Sequence, residues 1–240
     1  MLSSDSLLVV VPAFNEERTI SEVVSQLHSR GFRVVVVDDC STDLTAQRAS
    51  EAGAIVLRLP INLGVGGALR AGFRYAVETG HTSVVQVDAD GQHPADQITD
   101  LVRSAHEQGA HLVIGSRYLS SDTTLTSSLP RRFSMWCLSK IGSRISGVQL
   151  SDTTSGFRLI SQPLLGEFAR QFPSYYLGDT YEATIAAARA GYRVIEVPAA
   201  LSPRVHGNSS ASSLRATLLI ARVLIVSITN LHPRLKRFQG

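Results

Sequence analysis

The chain of 240 residues, 44% of them hydrophobic, is long enough to bury one substantial core and fits a single domain. Its two cysteines, Cys40 and Cys137, are far apart and lack metal-ligand spacing, which excludes a disulfide framework and weakly indicates a reducing compartment. The amino terminus lacks the basic region and cleavage site of a signal peptide, so a cytoplasmic protein is expected.

The net charge of +3 is unevenly distributed along the chain. No acidic residue follows Glu196, whereas six cationic residues do, so the rest of the chain is net negative. A basic end on a mildly acidic body indicates either an anionic partner, such as a phosphate or a lipid surface, or simply a solvated tail. Nucleic acid is not expected as a partner because the tail lacks interleaved aromatic side chains.

In chain order, the first half alternates apolar runs with segments of helical periodicity. Strands are predicted at 7–11, 34–37, 55–59, 84–87 and 112–114. Helices are predicted to end at Gly31 and at Gly53, and to occupy 64–80 and 97–108. Continuous apolar strands joined by helical crossovers predict the α/β class, a Rossmann-like, mostly parallel sheet with helices on both faces.

The second half is less regular. Residues 120–129 are rich in Ser and Thr and predict a loop, 131–146 a helix, 157–160 a strand, 180–190 a helix and 192–197 a last strand. Residues 202–213 are polar, and 214–231 predict an apolar C-terminal helix. No repeat or linker divides the chain, so we expect a main body at 1–212 and a basic helix and tail at 213–240 within one domain.

Polar side chains follow four consecutive predicted strands, at the edge where an open parallel sheet binds its ligands. Because buried charges need partners, a shared cleft is the economical explanation. The four segments are Pro12-Ala13-Phe14-Asn15-Glu16-Glu17, Asp38-Asp39, Asn62-Leu63-Gly64 and Asp88-Ala89-Asp90-Gly91-Gln92-His93-Pro94.

Asp88 and Asp90 are the sharpest candidates for chemistry. In an extended segment residues i and i+2 point the same way, so both carboxylates would face one ion, and Gln92 continues the spacing. Oxygen ligands of this kind suit Mg²⁺ or Mn²⁺, which would neutralise a departing diphosphate. The alternative is a surface turn held by Asx hydrogen bonds.

Asp39 is a candidate for contact with a base or a ribose, or a cap on the following helix. The same position holds ribose in NAD enzymes, but those require a glycine-rich first turn, and the first turn here contains no glycine. The glycine-rich segment at 64–67 follows the third strand instead. A dinucleotide oxidoreductase is therefore disfavoured.

Taken together, the ordered motifs resemble the family 2 glycosyltransferases, and most closely the branch of dolichyl- and polyprenyl-phosphate mannosyl- and glucosyltransferases. The resemblance runs through most of residues 7–210 and implies a GT-A fold and an inverting transfer from a GDP-, UDP- or dTDP-linked sugar. Besides the four strand-end segments, it rests on Gly115-Ser116-Arg117-Tyr118 and Ser155-Gly156-Phe157-Arg158.

The resemblance also implies roles for individual residues. Asp88, Asp90 and Gln92 would hold the metal, and Arg117 with Arg131 or Arg132 would grip an acceptor phosphate, for which bidentate guanidinium groups are suited. Solvation of a helix start is the alternative for Arg131 and Arg132. The nucleotide-sugar pocket would be lined by Pro12, Ala13, Asn15, Glu16, Asp39, Asn62, Gly64, Asp88 and Ala89.

Asp179 has two interpretations that bear on the acceptor. In family members with hydroxyl acceptors, an aspartate near this helix start is the general base, with Glu182 as a second candidate here. Asp-x-x-Glu also has the spacing of a capping box. A phosphate acceptor is already ionised and needs no base, so the acceptor stays open between a polyprenyl phosphate and a hydroxyl compound.

Polyprenyl-phosphate enzymes of that branch often carry two membrane spans at the carboxyl terminus, and this sequence has no segment that matches them. The apolar stretch 216–228 is interrupted by Arg222 and is too short to span. It predicts an interfacial helix on the inner face of the plasma membrane, a dimer interface or a helix packed on the core. In the loop at 204–210, serine replaces a lysine common in the branch, which leaves phosphate contact to Arg204 or His206.

Two further functions remain as rivals. A nucleotidyltransferase has a similar fold but usually carries a first loop rich in glycine and basic residues, which this chain lacks. A catalytically silent sugar- or lipid-binding scaffold would bind no metal, and the acidic cleft argues against it.

Overall fold

The computed structural model describes residues 6–119, 140, 142–144, 147–173, 179–200 and 235–238. Its centre is a seven-stranded sheet in the order β3-β2-β1-β4-β6-β5-β7. The strands are β1 (Leu7–Ala13), β2 (Arg33–Asp38), β3 (Ile55–Arg58), β4 (Ser83–Gln86), β5 (Leu112–Ser116), β6 (Arg158–Ser161) and β7 (Val194–Pro198). All neighbouring pairs are parallel except the two that involve β6.

Helices cover both faces of the sheet. The described helices are α1 (Ile20–Ser29), α2 (Thr45–Glu51), α3 (Gly64–Glu78), α4 (Ile98–Gln108), α5 (Leu164–Gln171) and α6 (Asp179–Arg189). Successive valines of β1 point to opposite faces, so Val10 packs with α3, α5 and α6, whereas Val9 packs with α1, α2 and α4. This double burial explains why β1 and residues 34–37 of β2 are apolar throughout rather than alternating.

Helix α3 approaches the sheet closely at one glycine. A Cβ atom at Gly72 would lie 2.4 Å from Cγ1 of Val10 and 3.2 Å from Cγ2 of Val37. The absence of a side chain at Gly72 therefore sets how closely α3 lies on β1 and β2.

The antiparallel strand β6 has a consequence for the functional edge. Because β6 runs against β4 and β5, its amino end lies at the edge where those two strands have their carboxyl ends. The motif Ser155-Gly156-Phe157-Arg158 at the start of β6 is thereby brought to the same edge as the acidic segment after β4.

The predicted α/β class and all seven predicted strands are confirmed. Helix α5 was not predicted, and α4 follows a short 3₁₀ turn at Ala95–Gln97. Near the carboxyl terminus, Leu235 is buried against the core and the Phe238 N–H donates to the carbonyl of Ala190 at 2.8 Å. The predictions for 120–129, most of 131–146, 202–213 and the helix at 214–231 lie outside the described residues.

No helix within the described ranges combines the length and the hydropathy that crossing a membrane requires. The division at residue 212 stays a prediction.

Candidate active site

The loop after β1 is tied to the loop after β2 by backbone-to-side-chain hydrogen bonds. The N–H of Asn15 donates to Oγ of Ser41 at 2.9 Å, and the N–H of Thr42 donates to Oδ1 of Asn15 at 2.9 Å. Asn15 has a positive φ of 55°, which turns the loop sharply, and asparagine tolerates this conformation better than most residues. The N–H of Glu16 donates to Oγ1 of Thr45 at 2.8 Å. The two loops therefore form one fixed wall of the cleft.

Asp39 joins that wall to the start of α3. Its N–H donates to the carbonyl of Ala13 at 2.9 Å, and its Oδ1 accepts the N–H of Leu63 at 2.7 Å. The side-chain amide of Asn62 donates to the Asp39 carbonyl at 3.1 Å. Burial raises the pKa of the Asp39 carboxyl above its ordinary value; the N–H groups of Leu63 and Gly64 oppose the shift, and Asp38 adds to it.

Asp88 lies beyond the end of β4 and is held from three sides. Its N–H donates to Nδ1 of His93 at 2.9 Å, and Nε2 of the same ring lies 3.6 Å from Oδ2 of Asp88. The side-chain amide of Gln86 donates to Oδ1 at 3.4 Å. On the third side lies Gly156, where a Cβ atom would come within 2.5 Å of Oδ2. The Asp88 side chain is 38% exposed, so its carboxylate faces both these groups and solvent.

Asp90 lies in a turn and not in the extended segment predicted from the sequence, so that prediction is wrong. Residues 89 and 90 form the turn, and Gly91 has a positive φ of 75°. Oδ1 of Asp90 accepts the N–H of Gln92 at 3.1 Å, the Asx-type bond that was the alternative to a metal site. Asp90 is only 5% exposed. The metal role of Asp88, Asp90 and Gln92 stays a prediction.

The donor set fits a metal ion that arrives with its substrate. Among the described residues, no group of three His, Cys, Asp or Glu side chains converges on a point that could hold an ion. Mg²⁺ is commonly bound by one or two carboxylates together with substrate phosphates and water. The carboxylates of Asp88 and Asp90 match that pattern and do not match a permanent protein cage.

Arg117 follows β5 and is bound by a buried carboxylate. Its Nε donates to Oδ2 of Asp152 and its Nη2 to Oδ1, each at 2.7 Å, while Nη2 also donates to Oγ1 of Thr154 at 3.0 Å. Burial lowers the pKa of Arg117, but the hydrogen bonds and charge of Asp152, with smaller contributions from Tyr118 and Asp88, raise it above its ordinary value. The guanidinium therefore stays charged, and its charge interacts with that of Asp88.

Arg158, the last residue of the Ser-Gly-Phe-Arg motif, fixes the start of α6. Its side chain is 1% exposed and donates to the carbonyls of Ser155 at 2.7 Å and Thr180 at 3.0 Å. Asp179 is the first residue of α6, so this buried cation positions the backbone that carries it. Glu182, the second candidate base, is 2% exposed. The base role of Asp179 stays a prediction.

The structure thus brings most of the predicted residues to one edge. Asp39 and Asp88 follow β2 and β4, which lie on either side of β1, two strand spacings of roughly 4.8 Å each apart. Arg131 and Arg132 lie outside the described residues, so their predicted contact with a phosphate is not placed. The predicted residues at this edge are Pro12, Ala13, Asn15, Glu16, Asp39, Asn62, Gly64, Asp88, Ala89, Asp90, Gln92 and Arg117.

We assigned no individual role from the sequence to three residues that shape the site: Asp152, Gly156 and Glu196. The sequence offered a signal for Glu196, because a charged residue there interrupts the apolar run Val194–Pro198. A half-buried charge needs hydrogen-bond partners, so the signal indicated that such partners exist. Those partners are Ser151 and Asp152, which periodicity does not reveal.

The sequence profile of Glycosyl transferase family 2 matches residues 8–168, more than half of the chain. The chain belongs to glycosyl transferase family 2. It is a nucleotide-sugar-dependent glycosyltransferase, and the family resemblance drawn from the motifs is confirmed.

Two relatives in this family are named for a lipid phosphate or its product. The chain is 31% identical over 214 residues to the undecaprenyl-phosphate mannosyltransferase of Micrococcus luteus, covering 86% of this chain and 87% of the relative. It is 29% identical over 224 residues to the polyprenol monophosphomannose synthase of Mycolicibacterium smegmatis, covering 88% and 83%. The resemblance to the polyprenyl-phosphate branch is thereby confirmed.

A solved glycosyltransferase confirms the GT-A fold. Glucosyl-3-phosphoglycerate synthase of Mycobacterium tuberculosis, crystallised with Mn²⁺, UDP and phosphoglyceric acid, superimposes with a TM-score of 0.69 at 25% identity. The match covers 92% of this chain and 78% of that one.

Proposed function

We propose that this family 2 enzyme transfers a sugar from a nucleotide-diphosphate sugar to a polyprenyl phosphate, with inversion at the anomeric carbon and with Mg²⁺ or Mn²⁺. The names of the two lipid-phosphate relatives support the acceptor. The Mn²⁺ and UDP bound by the solved glucosyl-3-phosphoglycerate synthase support the metal and a nucleotide diphosphate.

The observation that carries the proposal is the placement of Arg117. A guanidinium held by the fully buried Asp152 follows β5 at the edge where the predicted donor residues gather, and its charge interacts with that of Asp88. A transferase that joins an anionic acceptor to an anionic donor needs a fixed positive charge beside its metal carboxylates, because the two substrates repel each other. Arg117 places a cationic guanidinium there, and its bidentate pair with Asp152 balances the charge while it fixes the direction of the guanidinium N–H groups.

The residues divide the work between donor and acceptor. Asp39 and the wall formed by the first two loops would hold the nucleoside, while Asp88 and Asp90 would hold the metal against the diphosphate. The metal, when bound, neutralises charge on the departing nucleoside diphosphate. An oxygen of the acceptor phosphate attacks the anomeric carbon as the bond to the diphosphate oxygen breaks, and the nucleoside diphosphate leaves with the bonding electrons. The acceptor is already an anion, so no base is required.

A second candidate is transfer to a hydroxyl acceptor. The solved glucosyl-3-phosphoglycerate synthase, with its phosphoglyceric acid, favours this alternative. Asp179, at the first position of α6, would then remove the hydroxyl proton.

The test is transfer from a panel of GDP-, UDP- and dTDP-linked sugars, with and without Mn²⁺, in the presence and absence of polyprenyl phosphate. Metal-dependent transfer that requires the lipid and is lost in Asp90→Ala supports the proposal. Transfer to soluble hydroxyl compounds alone would establish the second candidate. Failure to bind any nucleotide sugar would contradict both, and the anomeric configuration of the product, read by NMR, decides inversion.

Contact with the membrane and formation of a homodimer are further proposals. The basic residues after Glu196 support the first because anionic lipids attract them. Sedimentation with anionic vesicles and light scattering of the purified protein test the two separately.

A further inference from the structure

A second carboxylate, that of Glu196, lies beside the turn that binds Arg117. Glu196, in the edge strand β7, accepts three hydrogen bonds from the turn that carries Asp152. Its Oε2 accepts the N–H of Ser151 at 2.7 Å and the Ser151 hydroxyl at 2.5 Å. Its Oε1 accepts the N–H of Asp152 at 2.9 Å. Glu196 thus binds both consecutive backbone N–H groups of this turn.

The same turn binds both the main chain and the side chain of Arg117. Asp152 is fully buried, and its carboxylate accepts Nε and Nη2 of Arg117 as well as the Arg117 backbone N–H at 3.2 Å. The hydroxyls of Ser116 and Ser151 lie 2.7 Å apart, which adds a further bond between β5 and the turn. The Asp152 carboxylate also accepts a hydrogen bond from the Thr154 hydroxyl at 3.3 Å.

The sheet gives this arrangement its rigidity. Glu196 pairs with Ile114 in the register of β5 and β7, and β5 leads directly into Arg117. Arg117 is therefore held in two ways by the paired strands β5 and β7: its backbone continues from β5, and its side chain is bound by the turn that Glu196 of β7 holds. A carboxylate suits the second route because it only accepts hydrogen bonds, and both backbone groups that face it are donors.

We propose that Glu196 is a positioning residue for the acceptor: it holds the Ser151–Asp152 turn so that Asp152 presents the Arg117 guanidinium at a fixed place and angle to the acceptor phosphate. This inference rests on the proposed function, in which Arg117 contacts that phosphate. Guanidinium recognition of phosphate depends on direction as well as on charge, so a turn that shifts would weaken acceptor binding while the donor side is left intact.

The test compares Glu196→Gln with Glu107→Gln, which removes an equal charge from an exposed position on α4. In Glu196→Gln the new amide group faces a backbone N–H, so one of the three bonds becomes a contact between two donors. We expect the acceptor KM to rise about tenfold, the equivalent of about 1.4 kcal/mol. Binding of Mn²⁺ and nucleoside diphosphate, measured by calorimetry, is expected to stay within about twofold of wild type, and Glu107→Gln to match wild type throughout. Ser151→Ala, which deletes only the hydroxyl bonds, is expected to give a smaller rise.

A second readout separates this inference from the proposed function. The Arg117 Nε–H, assigned by its absence in Arg117→Lys, is expected to give a slowly exchanging NMR signal in wild type and a shifted, faster-exchanging one in Glu196→Gln. An unchanged signal would overturn the inference whatever the acceptor is. A changed signal with an unchanged acceptor KM would show that Glu196 has only a structural role, and it would overturn the inference as well. If wild type binds nucleotide but ignores polyprenyl phosphate, the proposed function fails, and the Nε–H signal still decides whether Glu196 positions Arg117.

Discussion

Replacement of Gly156 by alanine tests the link between the start of β6 and Asp88. Gly156 does not have a positive φ, so alanine fits the backbone and the effect comes from contact alone. The new Cβ atom would lie 2.5 Å from Oδ2, 2.7 Å from Oδ1 and 2.9 Å from Cγ of Asp88. The nearest contact is about 0.9 Å short of the 3.4 Å at which ordinary van der Waals contact begins.

Asp88 must move, because the alanine is fixed to the main chain and the carboxylate is not. The side chain is 38% exposed and can rotate toward solvent, so the cost in stability is expected at the low end of the roughly 1–3 kcal/mol typical of overpacking. The cost to the site is larger. Disturbing the groups that orient a metal ligand typically lowers metal affinity by about 10–100-fold, and we expect a loss of that size.

The assay is a Mn²⁺ titration followed by electron paramagnetic resonance, with nucleoside diphosphate present, alongside thermal unfolding. Gly166→Ala is the matched control, since its Cβ atom would meet only the end of the flexible Gln162 side chain, at 3.2 Å. Wild-type Mn²⁺ affinity in Gly156→Ala would refute the placement of Asp88 as a metal ligand held against β6.

Three further substitutions probe the remaining parts of the account. Because burial raises the pKa of Asp39, its ionised form destabilises the fold as pH rises through that pKa, so Asp39→Asn is expected to be more stable than wild type at pH 7 in urea unfolding. The difference in stability is expected to vanish below the ordinary pKa of 3.8, and calorimetry is expected to show weaker binding of nucleoside diphosphate by the variant. Arg117→Ala leaves the buried Asp152 unpaired and is expected to cost about 3–5 kcal/mol in urea unfolding, and a near-neutral result would contradict the buried ion pair. Gly72→Ala is expected to lower the free energy of unfolding by about 1–3 kcal/mol or more because its Cβ atom meets Val10. Gly166→Ala is expected to raise the free energy of unfolding by roughly 0.5–1 kcal/mol through helix propensity, and equal effects at the two glycines would refute the close packing of α3.

The strands could be predicted because most of them are buried apolar runs with clear boundaries, whereas β3 at the edge of the sheet contains no buried residue. The antiparallel direction of β6 and the order of the strands could not be predicted, since the run at 158–161 has the same pattern whether it lies parallel or antiparallel to its neighbours. Helix α5 escaped prediction because its buried face, Leu164, Leu165 and Phe168, is short and follows β6 closely.

The candidate site could be predicted as far as it follows the ends of parallel strands, which share one edge. The local geometry at Asp90 could not, because the i, i+2 rule assumed an extended segment and the chain turns at residues 89 and 90. Contacts between residues that are distant in sequence could not be predicted either. Glu196 and Asp152 are 44 positions apart, and Asp152 lies in the segment before β6, so their contact forms only in the folded chain.

The most direct test of the central claim compares two acceptors that share one lipid chain, a polyprenyl phosphate and the corresponding polyprenol. Each is incubated with the radiolabelled nucleotide sugar that the enzyme binds and with Mn²⁺, and the label extracted into the lipid phase is identified by mass spectrometry. We expect a polyprenyl-phosphate sugar from the first acceptor and no product from the second. Glycosylated polyprenol, or label found only on soluble hydroxyl compounds, would contradict it.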